Sequence, residues 1–347
     1  MAATNPEGRK KKKTIIKPLD LEEEQESSSE KDDDEIEEFR RVWMSRHARN
    51  FGSFQHTTTI PAMRYTFGHI PQVAGTDNGL QVFSIKLILL NTDEWPLHVY
   101  GLVAARDCLD PRRNLLFHRT RDNPQILTQH HPFLQLTGPS RAIVLIDPVD
   151  FEVQLKAKSL DQDPDQDDQI LNFGVVASGH FPSSNKTCFG KRSNVEFRLS
   201  LLQDSVEATI VSVQLVDHSS WPNHLPAGAL VCRTPNINNH QDDFVLLDSR
   251  QHGSSGTMPI DDDGVIQLSR RVVMVQLAGQ LIVDVLAFSS LQQQQRIGQV
   301  VTAKGQIVFE PKTSSVSVKT CDLGGLCKLR ICVAWSLVDT LPPAEYF

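Results

Sequence analysis

The sequence predicts an all-β protein, with two tandem β-sandwich-like repeats behind a charged tail and a short helix. Three observations carry that prediction. The second half repeats the first: residues 81–202 lie over residues 206–338 with a register that drifts between 126 and 133 positions. Trp95-Pro96 answers to Trp221-Pro222, Gln135-Leu136-Thr137 to Gln267-Leu268-Ser269, Lys186-Thr187-Cys188 to Lys319-Thr320-Cys321, and Phe197-Arg198-Leu199 to Leu329-Arg330-Ile331. A unit this long is a whole domain rather than the short repeat of a solenoid. Each copy also holds about seven short alternating or β-rich runs broken by turn residues, the pattern of a sandwich. Finally, helix-period segments of a dozen residues are missing between these runs, which disfavours a parallel α/β sheet.

Taken in order, residues 1–33 form a charged tail. Arg9-Lys10-Lys11-Lys12-Lys13 is followed by Glu22-Glu23-Glu24, Ser27-Ser28-Ser29 and Asp32-Asp33-Asp34. Low hydrophobicity with blocks of like charge cannot bury enough surface to offset chain entropy, so the tail is expected to be disordered. Residues 34–60 hold an amphipathic helix and a linker: Ile36, Phe39, Trp43 and His47 recur at three- and four-residue spacing, with acids early and Arg46 and Arg49 late, as the helix dipole favours. The apolar stripe fits docking on the body or capture of a partner. Residues 61–203 are repeat 1, with runs at 83–90, 99–105, 115–118, 142–146, 151–157, 173–177 and 195–201. Residues 204–340 are repeat 2, with runs at 208–216, 229–233, 244–247, 272–277, 281–288, 299–303 and 328–335.

The net charge of −7 sits almost wholly in residues 1–38, which hold thirteen acidic and seven basic side chains. A nearly neutral body offers no large field to steer nucleic acid or an anionic membrane. No run of 18 apolar residues and no apolar stretch behind the N-terminal basic residues occurs, so no membrane span and no secretory signal are expected. The expected location is the cytoplasm, with the basic run as the nuclear alternative. In a reducing compartment the six cysteines are expected as free thiols, and Cys321, Cys327 and Cys332 lack the spacing of a zinc site. Neither a metal nor another cofactor is expected.

Catalytic motifs are absent: GxSxG, GxGxxG, GxxxxGK[ST] and HExxH do not occur. No catalytic residue is assigned. His130-His131 before Pro132 reads as a turn, and Asp261-Asp262-Asp263-Gly264 as a tight hairpin turn. The loop Asp161–Asp168 after the run 151–156 has the look of a C2-type calcium loop, with Asp93 as a further ligand source. Against it, the equivalent loop of repeat 2 is Gln292-Gln293-Gln294-Gln295, without carboxylates, so a solvated acidic loop is the preferred reading.

One polar cluster stands out. Arg106-Asp107, Asp110, Arg112-Arg113-Asn114, Arg119 and Arg121 surround two short runs, where arginine–carboxylate pairs can bracket a hairpin bidentately. The rival use is an anion site, which the interleaved acids oppose. Arg106, Asp107, Arg113, Asn114 and Arg141 are the candidate interaction residues.

Several stretches together resemble a family found in grasses and cereals and known as a domain of unknown function. They include Trp95-Pro96-Leu97, Ala105-Arg106-Asp107, Arg113-Asn114 with Phe117, Leu136–Ala142, Asp147-Pro148-Val149 with Phe151-Glu152, Leu268–Val273 and Val333-Ala334-Trp335-Ser336. The resemblance covers roughly residues 60–338. It implies a plant protein linked to stress or defence, and similar domains are fused to ribosome-inactivating N-glycosidase-like domains in cereal jasmonate-induced proteins. A depurinating site needs a helical Glu-Ala-x-Arg segment with stacking tyrosines, whereas Glu207-Ala208 runs into the β-rich Thr209-Ile210-Val211. The expectation is therefore a non-enzymatic interaction or scaffold module with a protein partner, nucleic acid not being among the expected partners. The competing readings are a ribosome-inactivating relative and a calcium-dependent membrane binder.

Overall fold

Strand alternation governs the computed structural model, which describes residues 21–91, 94–159, 168–179, 185–216, 227–234, 243–251, 256–288 and 301–340, with side-chain burial along the first helix from residue 35 onward. Helix α1 (Leu21–Phe51) comes first. The strands of the first half are β1 (Ala74–Gly75), β2 (Asp77–Leu89), β3 (Leu97–Asp107), β4 (Asp110–Arg119), β5 (Gln125–Leu127), β6 (Asp150–Ala157), β7 (Gln169–Ala177) and β8 (Asn185–Cys188). β9 (Ser193–Leu215) follows, and then β10 (Ala227–Arg233), β11 (Phe244–Asp248), β12 (Val272–Gln276), β13 (Leu281–Phe288), β14 (Val301–Phe309), β15 (Val316–Asp322), β16 (Lys328–Ser336) and β17 (Val338–Asp339). All strand pairs are antiparallel.

The helix begins at Leu21 rather than near Asp34, where the apolar spacing places its start. Glu, Gln and Lys between Leu21 and Lys31 are good helix formers, and the early acids suit the positive end of the dipole. It ends where Gly52, at φ 78°, donates its N–H to the Ala48 carbonyl at 2.9 Å.

In the first half, β4-β3-β6-β7, with β5 beside β3, forms one sheet, and β2, β8 and the first part of β9 form the layer opposite it. Phe151, Val153 and Leu155 of β6 meet Val195, Phe197 and Leu199 of β9 in a shared core, where the Phe151 and Phe197 rings lie 4.8 Å apart. In the second half, β11-β10-β13-β14 faces β12-β9-β16-β15 around Phe244, Phe309 and Trp335. Pairing order is shared: β3 with β4 and β6, and β6 with β7, correspond to β10 with β11 and β13, and β13 with β14. The irregularities correspond as well, since the ladder skips Phe83 between β2 and β9 and Val211 between β9 and β16.

β9 belongs to both layers. Its first part pairs with β2 and β8, Asp204 takes φ 47°, and its second part pairs with β12 and β16. The chain therefore passes between the two cores inside one strand. Leu109, Ala142, Val144, Leu202, Met274 and Val338 form a small apolar cluster at that crossing.

A strap over residues 52–66 ties the two halves from outside. Thr58 N donates to Arg113 O (2.9 Å) beside β4, while Tyr65 N donates to Ser336 Oγ (2.9 Å) and Thr66 Oγ1 to Trp335 O (2.9 Å) in the second half.

Candidate functional site

The outer face of β4-β3-β6-β7 would be solvent-facing in a bare sandwich, so its side chains need not be apolar. Here α1 packs over β7 and β4 and covers it. Trp43 and Phe54 meet edge to face at 5.5 Å, Phe39 meets Phe54 at 5.8 Å, and Trp43 Nε1 donates to Pro111 O at 2.8 Å. The stripe Ile36, Phe39, Trp43 thus faces the body, as the docking reading expects.

Beneath the helix lies Glu152, fully buried on β6. It accepts from Arg106 Nε (3.0 Å) and Nη2 (2.7 Å), from Arg113 Nε (3.0 Å) and Nη2 (2.5 Å), and from Gln154 Nε2 (2.6 Å). One carboxylate therefore serves two guanidiniums through charge-assisted bonds: Arg106 gives both of its bonds to Oε2, and Arg113 spans Oε2 and Oε1. Arg106 reaches further, donating to Phe54 O and Pro111 O at 2.7 Å each. Burial pulls the Arg106 pKa below its ordinary value, and the Glu152 charge opposes this. Three guanidiniums surround the Phe54 ring: Arg106 at 4.1 Å, Arg113 at 5.2 Å and Arg40 at 5.9 Å from its centre.

A second knot lies where the halves meet. Arg141 forks onto Asp107, Nη1 to Oδ2 at 2.6 Å and Nη2 to Oδ1 at 2.7 Å, while Val144 N donates to the same Asp107 at 3.1 Å. Asn114 donates to Arg141 O (3.0 Å) and accepts from Ser140 N (2.9 Å). Asp110 accepts from Thr58 Oγ1 (2.7 Å) and from Arg112 Nε (2.8 Å). Burial would raise the Asp110 carboxyl, but these hydrogen bonds outweigh it and hold the pKa below the usual range. Glu207, on the second half's side of β9, accepts from Met63 N (2.6 Å) on the strap and Ala142 N (2.7 Å). Its burial raises the pKa against those two N–H groups.

A further inter-half tie is Arg270. It is buried over the Phe244 ring at 3.7 Å and donates to Gly138 O (2.7 Å) and Val82 O (2.7 Å), carbonyls of the first half. Burial lowers its pKa to about 9. Gly138 approaches β4 so closely that a Cβ there would lie 1.7 Å from Leu115 O, which admits no side chain.

The five candidate residues therefore converge. Arg106 and Arg113 share Glu152, while Asp107, Asn114 and Arg141 share the adjoining knot, all at 7% exposure or less. Their polar atoms bracket the β3–β4 hairpin and hold segments to it. The sequence assigns no role in these ties to Glu152, Glu207 or Thr58, nor to Arg270 beside them. The only hint was a lone charge in an apolar run, as in Phe151-Glu152-Val153 and Val206-Glu207-Ala208.

Other sequence features resolve locally. His131 N donates to Thr128 O (3.0 Å), closing the turn, and Asp261 Oδ1 accepts from Asp263 N and Val265 N in the hairpin turn completed by Gly264 at φ 75°. Asp93 and most of the acidic loop, residues 161–167, lie outside the described residues. Asp168 is described: it accepts from Arg121 Nε (2.6 Å), Tyr100 OH (2.6 Å) and Ser159 N (3.0 Å). The Arg121 hydrogen bonds hold its carboxyl far below the usual range. Among the described residues no group of three or more His, Cys, Asp or Glu is placed to hold a metal ion, and no helix is long and apolar enough to cross a membrane. Burial raises the thiol pKa of Cys108 and Cys321 to about 11 each.

A family model described as a domain of unknown function (DUF6598) matches residues 79–333. No curated protein matches the chain. Among solved structures, human GIVD cytosolic phospholipase A2 aligns at 13% identity with a TM-score of 0.23, and its complex with methyl gamma-linolenyl fluorophosphonate at 11% with a TM-score of 0.24. Each alignment covers 76% of this chain and 33% of the other, so the chain spans about a third of those proteins.

Proposed function

The chain belongs to the family described as a domain of unknown function (DUF6598), and we propose that it is a non-enzymatic interaction scaffold recognising a protein partner. One observation carries the reading. The side chains with the strongest chemistry in the body, Arg106, Asp107, Arg113, Arg141, Glu152 and Glu207, are buried and committed to fastening the helix, the strap and two β layers to one another. An active site holds such groups open to substrate and leaves one of them to act on it. Here they support a shape.

The proposal includes an origin by duplication, with repeat 1 over 61–203 and repeat 2 over 204–340; the shared pairing order and the paired bulges support it. It also includes the setting implied by the resemblance: a cereal protein of the cytoplasm or nucleus, tied to stress or defence.

The test is capture from stressed cereal leaf extract, using the full chain and a chain that starts at Leu21 and so keeps helix α1. A discrete partner recovered with both, alongside no adenine release from ribosomes by the purified protein, supports the scaffold. Adenine release, or an empty capture with both, overturns it.

A further inference from the structure

Between helix α1 and the sheet beneath it runs a half-open cleft of about 360 Å³, lined by Ile36, Glu37, Arg40, Phe54, Gln55, Arg113, Gln154 and Phe173. That volume falls in the range of small-molecule sites, whereas the two other clefts described hold about 10 and 20 Å³. The lining is amphipathic, joining Ile36, Phe54 and Phe173 with guanidinium and amide groups.

Charge decides what could enter. Glu152 is the only carboxylate that Arg106 and Arg113 share, and Glu37 pairs with Arg40 at 3.4 Å on the exposed helix face. Glu37, Glu152 and, acting on Arg106, Asp150 thus face three arginines around Phe54, so selectivity rests on which guanidinium edge is left over. Arg113 spends Nε and Nη2 on Glu152, so its Nη1 takes no protein acceptor among the described residues while Arg113 itself lines the cleft. Lys156 adds a further cation at 5.6 Å from the Phe173 ring. Gln154 gives Nε2 to Glu152 and keeps its carbonyl.

We propose that this cleft binds a small organic carboxylate with an apolar, planar body. The carboxylate sits between Arg113 Nη1 and the Arg40 guanidinium, and the body lies against Phe54 and Phe173. A guanidinium edge left over by its partner favours a planar oxyanion. The cleft requires α1, so binding also fastens the helix.

The experiment uses 2-naphthoate as the probe and 2-naphthalenemethanol, its neutral counterpart, on the full chain. Equilibrium dialysis and melting temperature are the readouts, with the variants Arg40→Gln and Phe173→Ala. Arg40 is exposed, so its replacement leaves the fold intact, and the melting curve without probe verifies this. The expected result is saturable naphthoate binding that raises the melting temperature with concentration, no binding of the alcohol, and a Kd weakened about tenfold in Arg40→Gln. Equal binding of acid and alcohol, an unchanged Kd in Arg40→Gln, or no binding of naphthoate at millimolar concentration would overturn the proposal.

Discussion

Replacing Glu152 by Gln keeps the volume of the side chain and removes its charge. In the structure that carboxylate is fully buried and accepts four guanidinium hydrogen bonds, two from Arg106 and two from Arg113, at 2.5–3.0 Å. Gln has one acceptor oxygen, so two buried cations lose their counter-charge and at least two donors lose an acceptor. Breaking a buried pair from one side costs about 3–5 kcal/mol. Arg106 also holds Phe54 O and Pro111 O, so the loss spreads to the seat of α1. Urea unfolding followed by circular dichroism measures it, with a lower midpoint at unchanged slope. An internal control lies at the corresponding place in the second half: Asp284 stands opposite Val231 as Glu152 stands opposite Ala104. Asp284 is itself buried, but its partners Arg233 and Lys304 have side chains 28% and 49% exposed, so water can take up their charge when the carboxylate is lost. Asp284→Asn should therefore cost about 1 kcal/mol or less. Equal losses in the two variants, or a loss under about 1 kcal/mol for Glu152→Gln, would refute the reasoning that burial beneath the helix sets the cost.

Trp43→Ala removes a ring that is 4% exposed and the hydrogen bond to Pro111 O, and should cost about 3–5 kcal/mol in the same assay. His47 next to Trp43 has its pKa lowered from 6.5 by burial first and then by Arg46 and Arg106, so the folded state binds fewer protons than the unfolded one. Its contribution is present above pH 6.5 and is lost as pH falls through the folded value, so stability should decline from pH 7 to 5, and less so in His47→Gln. Asp110, with its pKa depressed, adds a second loss below about pH 4, read as a steeper acid transition than in Asp110→Asn. Calcium at millimolar concentration should leave the melting temperature unchanged, because the Asp168 carboxylate is already taken by Arg121 and Tyr100; a rise would show that the acidic loop binds the ion.

The fold class was legible because period-two alternation is a local signal and each run carries its own buried face, as in Phe151, Val153 and Leu155. The early start of α1 was not legible, since Leu21–Lys31 has helix-forming residues but no apolar stripe to mark it. Passage of the chain through β9 is hidden as well: the runs at 195–201 and 208–216 read as separate strands, with the border between the repeats falling between Gln203 and Asp204. At the site, Arg106, Asp107, Arg113 and Asn114 are visible because like residues crowd one stretch of chain, whereas Arg141 enters only through the stretch Leu136–Ala142 that carries the family resemblance. The carboxylate partners are not visible, because Glu152 lies 39 residues from Arg113 and Glu207 lies 65 from Ala142. Such pairing is a product of the sheet layers, and sequence spacing carries no trace of it.

The central claim is that β9, the strap and the buried ion pairs make the two halves one cooperative body. Calorimetric unfolding of the full chain tests it most directly. A single transition whose van't Hoff and calorimetric enthalpies agree is the predicted result. Two resolved transitions, one for each half, would contradict the account.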